Sequence, residues 1–168
     1  MLRFLFPRLT PAPASDLFGA VSDEARKPHW YTDGQVPDTI DGRFAMLVTI
    51  LALLLVRLER DPGTGDSLSV ALTERFIEVM ESEHREIGLG DPKLGRTVRK
   101  LVGSLSRRTD LWRSTVGGER PWEDSASDSV YKSAPAADAL SHTAERLRLF
   151  WAKLAAADIA DLAAGKLS

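Results

Sequence analysis

From Phe44 to Val56 the chain reads FAMLVTILALLLV, thirteen residues interrupted only by the hydroxyl of Thr49. The run falls short of the ~20 apolar residues that a bilayer-spanning helix needs. A helix that is apolar nearly all round has to be enclosed by other helices. The rest of the chain must therefore supply amphipathic segments that wrap this one, and the predicted fold is a bundle built around it.

The remaining segments meet that demand. None shows the period-two alternation of a strand, and all are separated by proline and glycine. A first short helix is predicted from Ser15 to about Arg26, ended by Pro28, with a loop through His29, Trp30, Tyr31 and Gly34 to Pro37. Asp38 and Thr39 then offer side-chain oxygens to cap the central helix, predicted from Ile40 to about Arg60. Asp61-Pro62-Gly63 forces a turn. A third helix, about Ser67 to Ile87, carries Leu68, Leu72, Phe76 and Met80 on one face, and Gly88 closes it. Asp91 as N-cap with Pro92 at the first helical position starts a fourth, running to about Thr115 with a possible break at Gly103. Residues 119–134 read as loop with at most a short helix around Ser125 to Tyr131, and a long alanine-rich helix from Ala136 to about Ala164 closes the bundle. The reading is all-α: one domain of about five to six helices over 14–168, preceded by an N-terminal arm, 1–13.

With 168 residues, 43% of them hydrophobic and 27% charged, the chain has the composition of a self-folding globular domain. A net charge of -2 rules out a global attraction to nucleic acid or anionic lipid, so any such partner must be met by a local patch. With no cysteine, disulfides, iron-sulfur clusters and thiolate chemistry are excluded together. In the arm, Leu2, Phe4 and Phe6 with Arg3 and Arg8 are too short a run for a secretion signal, and suit either core packing or an interface.

Catalytic patterns are sparse. Glu81 and His84 stand at the spacing that supplies two ligands to a carboxylate-bridged metal pair, but such a site needs a second copy. Near His142 the acids are Asp138 and Glu145, in the wrong order. No Walker, Gly-x-Ser-x-Gly or His-Glu-x-x-His motif is present. Charge is more informative. Glu74 to Glu86 holds five acids against two arginines, while Lys93 to Arg113 holds seven basic residues (Lys93, Arg96, Arg99, Lys100, Arg107, Arg108, Arg113) against Asp110. Two readings follow: the successive helices attract each other, or the basic one meets a phosphate-bearing or acidic partner. His29, Trp30 and Tyr31 likewise suit either a plugged core edge or an aromatic docking surface.

Two stretches, YTDGQVPDTIDGR (Tyr31 to Arg43) ahead of the apolar helix and FIEVMESEHREIGLGDPKLGRTVRK (Phe76 to Lys100), together resemble the ubiquinol-cytochrome c chaperone family. The resemblance covers roughly Trp30 to Arg113. It implies a helical, non-catalytic factor without cofactor or small-molecule substrate, which binds newly made cytochrome b or an early intermediate of respiratory complex III. In mitochondrial members it also implies work near the ribosomal exit tunnel. The short leader suggests a bacterial member, cytoplasmic or peripheral at the inner membrane, or on the matrix side in a eukaryote. Expected partner-binding residues are Trp30, Tyr31, Asp38, Thr39, Asp41, Arg43, Arg85, Glu86, Arg96, Arg99 and Lys100. A carboxylate-metal enzyme of quinone metabolism built on Glu81 and His84, and a ribosome- or RNA-binding module, stand as the alternatives.

Overall fold

The computed structural model describes residues 14–88 and 90–167, so the predicted arm lies outside the described residues. Eight helices are described: α1 (Ser15–Ala25), α2 (Pro28–Tyr31), α3 (Ile40–Leu58), α4 (Thr64–Glu86), α5 (Asp91–Val116), α6 (Trp122–Val130), α7 (Ala137–Ala156) and α8 (Ile159–Ala163). There is no strand among the described residues. The fold is all-α, and α3 is its axis, touching α1, α4, α5, α6 and α7. Every residue from Val48 to Leu58 is buried, as an all-round apolar helix requires. No described helix is long and apolar enough to cross a membrane.

Thr39 starts α3 as expected: its hydroxyl oxygen accepts the Gly42 N–H at 3.1 Å, satisfying one donor that the first helical turn leaves open. The one buried hydroxyl of the apolar run is also paired. Thr49 meets the Ser129 hydroxyl at 2.6 Å, and Trp112 donates its indole N–H to the same oxygen at 3.1 Å, so one small polar network joins α3, α5 and α6 inside the core.

Four local expectations need correction. The segment predicted as a loop after Pro28 contains α2, begun by that proline and held by its two aromatics. Trp30 is fully buried and donates to the Glu24 carbonyl at 2.9 Å, and the Tyr31 hydroxyl donates to the Ala25 carbonyl at 2.8 Å. Gly90, not Asp91, is the N-cap of α5, and Asp91 lies in the first turn, where a carboxylate favours the helix dipole. Helix α5 passes Gly103 unbroken, because the residue is exposed and its neighbours carry the helix. The closing helix stops at Ala156 and resumes at Ile159. There the buried Arg57 donates to the carbonyls of Leu154 and Ala157, each at 2.7 Å, holding an end that the sequence would continue.

Helix α2 is tied to α7 by His29 Nδ1 and His142 Nε2, 3.2 Å apart. Burial holds the His29 pKa below its ordinary value, with His142, Arg146 and Lys27 acting in the same direction and Glu24 opposing. A base whose folded pKa is depressed takes up protons more readily when unfolded, so its contribution is intact above the unfolded value of ~6.5. The contribution is lost as pH falls from there towards the folded value. A thermal melt below pH ~6 should lie about 2 °C under that at neutral pH. His142→Gln should reduce that difference only in part, because burial, the larger cause, remains; an unchanged pH dependence would show that His142 adds nothing to it.

Candidate functional site

The α3 start, the α4 end and α1 enclose an apolar groove of about 390 Å³. Helix α1 contributes Phe18, Ser22 and Ala25, and α3 contributes Ile40, Phe44 and Leu47. From α4 come Val79, Met80, Glu83 and His84, and Leu101 of α5 closes the floor. The amphipathic pattern of α4 explains the shape. Its buried stripe runs through Leu72, Phe76 and Met80 and reaches Ile87 seven residues later, on the same face. Ile87, just past the last residue of α4, is 75% exposed. Ile40, the first residue of α3, is 88% exposed and lines the groove itself. Large aliphatic side chains standing in water beside an apolar groove are the mark of a surface meant to be covered.

Polar side chains frame the groove. Tyr31 is half-buried against it, and burial pushes its phenol up, Arg43 opposing. The Arg43 guanidinium donates to Asp38 at 2.6 Å, which holds the Asp38 carboxyl below the usual range and the guanidinium above its own. His84 donates from Nδ1 to the Met80 carbonyl at 2.7 Å, and Glu81 is half-buried on the preceding turn. No group of three or more histidine or carboxylate side chains gathers around them or elsewhere among the described residues.

The structure brings only some of the expected residues together. Tyr31, Asp41 and Arg43 line the groove, while Asp38 and Thr39 sit exposed at its α3 edge. Trp30 is core, so its ring is not offered to a partner. Arg85 and Glu86 are exposed beside Ile87, on the outer side of the α4 end. Arg96, Arg99 and Lys100 are exposed on α5 away from the groove lining. The anticipated attraction between the acidic and basic helices is not realised: Arg75 pairs with Glu78 within α4, Arg113 with Glu59 and Asp110, and no described ion pair links α4 to α5.

Sequence reading did not offer Ile40, Ile87, Leu101 or the α1 residues Phe18 and Ser22 as surface residues, and it raised His84 only as a candidate metal ligand with Glu81. Ile87 carried a signal, since an apolar stripe that outlasts its partner helices must surface. The α1 residues carried none, because a groove wall and a core face have the same composition.

Two comparisons bear on this arrangement. By fold, the chain is similar to the Cbp3 homolog from Brucella abortus, a crystal structure, with a TM-score of 0.78 at 20% sequence identity over 91% of this chain and 86% of that one. No curated protein matches it in sequence. The family model described as "Ubiquinol-cytochrome C chaperone" matches residues 32–167, so the likeness extends well past Arg113, through α6, α7 and α8. That match spans most of the chain, and the protein belongs to the ubiquinol-cytochrome c chaperone family.

Proposed function

We propose that this chain is a non-catalytic chaperone that holds cytochrome b, or an early assembly intermediate of ubiquinol-cytochrome c reductase, in the groove between α1, α3 and α4. The family supports a part in assembling complex III. The observation that carries the site is Ile40, 88% exposed in the lining of a groove where both family-like stretches of the sequence meet, with a second exposed isoleucine, Ile87, three residues past the lining residue His84. A cytochrome b chain not yet in its final assembly presents apolar helix faces that need cover. Each large aliphatic side chain buried against such a face contributes about 1.5–3 kcal/mol. Exposed basic residues on α5 would keep a membrane or ribosome surface close by charge, in a salt-dependent manner.

Both isoleucines are outside the core, so Ile40→Asp with Ile87→Asp should leave helicity and melting unchanged. The pair should weaken capture of detergent-solubilised cytochrome b about 100-fold, as measured by co-purification with the full chain. Capture equal to that of the original protein would move the client elsewhere. Arg99→Glu with Lys100→Glu provides the second arm: retained capture but lost salt dependence would assign α5 to a neighbouring surface instead of the client.

A further inference from the structure

Arg107 and Arg108 are adjacent on α5 where it passes the end of α6, and neither has an ion-pair partner among the described residues. Arg108 is 8% exposed. Its Nε donates to the Ser129 carbonyl at 3.0 Å and its Nη1 to the carbonyl and hydroxyl of Ser104, while Nη2 has no acceptor among the described residues. Burial pushes its pKa down to about 10, and the only charge that adds to the effect is the like charge of Arg107. Two carboxylates line the same cleft as these arginines, and each is engaged by another cation, Asp128 by Arg120 and Asp41 by Lys132.

A buried guanidinium is costly without a counter-charge. The α6 carbonyl end supplies part of one, worth roughly half an elementary charge at most. No described carboxylate pairs with Arg108 to supply the rest. Both arginines open onto a cleft of about 440 Å³, whose far wall is the first turn of α3 with Thr39 and Gly42, and whose rim includes Gln35 and Ser133. The Thr39 oxygen accepts from Gly42, so its own hydroxyl hydrogen remains available to donate.

We propose that this cleft binds a phosphate group, free or as the headgroup of a lipid, between the guanidinia of Arg107 and Arg108. The Arg107 guanidinium and the remaining Arg108 Nη2, with hydroxyls opposite, match a tetrahedral oxyanion, whose several oxygens can accept from these donors at once. A carboxylate has too few oxygens to use them all. The site is separate from the client groove, but Asp41 and Phe44 of α3 line both, so a bound phosphate would stiffen the wall they share.

The test uses the full chain titrated with inorganic phosphate at constant ionic strength, followed by melting temperature and calorimetry, and compares Arg107→Gln with Lys93→Gln. Arg107 is exposed and holds no described contact partner, so its loss should leave the fold intact, and Lys93→Gln removes the same charge away from the cleft. The expected result is saturable stabilisation by phosphate, weakened at least about tenfold by Arg107→Gln and unchanged by Lys93→Gln. Sedimentation with phosphatidylcholine vesicles, with and without phosphatidic acid, identifies the source. Capture by the phosphatidic acid vesicles that Arg107→Gln removes assigns a lipid headgroup, and phosphate binding without vesicle capture assigns the free ion. No saturable phosphate effect and no vesicle capture, or equal effects of the two variants, would overturn the proposal and leave Arg108 as a clamp on α6 alone.

Discussion

Replacing Arg57 by alanine should lower the stability of the fold by about 3–5 kcal/mol, which for a domain of this size is a fall in melting temperature of about 10 °C. The side chain is 6% exposed near the end of α3. Three groups depend on it: the carbonyls of Leu154 and Ala157, and the carboxylate of Asp61, to which Nη1 donates. Alanine removes all three bonds, leaving the Leu154 carbonyl only the Ala157 N–H at 3.3 Å, and also leaves a cavity where the aliphatic stem was. Because the two carbonyls flank the break between α7 and α8, the loss should first loosen the C-terminal turn, visible as faster amide exchange in residues 154–163. Arg57→Lys should recover only part of the loss, since one ammonium cannot reproduce the fork that spans both carbonyls. A melting temperature unchanged in Arg57→Ala would show that these bonds do not hold the bundle together.

Gly42→Ala should cost about 3 kcal/mol, although alanine is the better helix former by up to ~1 kcal/mol. A Cβ at Gly42 would lie 1.9 Å from the Pro37 carbonyl oxygen, and that obstacle is backbone, not a side chain that can swing away. The substitution must push the Pro37–Thr39 segment off α3, and the Thr39 cap goes with it. Client capture should fall in parallel, because this turn is a wall of the groove. Gly103→Ala is the matching control: nothing lies within 4 Å of its would-be Cβ, so the same change should stabilise α5 by about 0.5–1 kcal/mol. Equal effects at the two positions would remove steric contact as the explanation.

What could be read from the sequence follows from how local each signal is. The central helix, the Thr39 cap, the α4 stripe and the Gly88 stop depend on residues within a turn or two of one another, and they are found where the pattern puts them. The family-like stretches were legible for the same reason, and the family match agrees with them. Features decided by distant residues were not legible. Trp30 lies in the core because α1 offers a carbonyl to its indole. The α7 break depends on Arg57, roughly a hundred positions earlier in the chain. Whether the acids of α4 meet the bases of α5 depends on how the two helices rotate about their axes, and hydrophobic burial sets that rotation more strongly than weak surface pairs. The groove was only half visible, since lining residues such as Ile40, Phe18 and Leu101 look in sequence like any other core residue.

The proposal to be tested is that this chain assembles cytochrome b through the groove lined by Ile40, with the exposed Ile87 at the nearby end of α4. The direct test is the reduced-minus-oxidised haem b spectrum, with complex III activity, of membranes from a strain lacking the gene. The same strain carrying the original gene, or the Ile40→Asp with Ile87→Asp form, completes the comparison. Loss of the haem b signal, its return with the original gene, and its continued absence with the double variant at equal protein level are the predicted results. A haem b signal that never falls, or that the double variant restores in full, would contradict it.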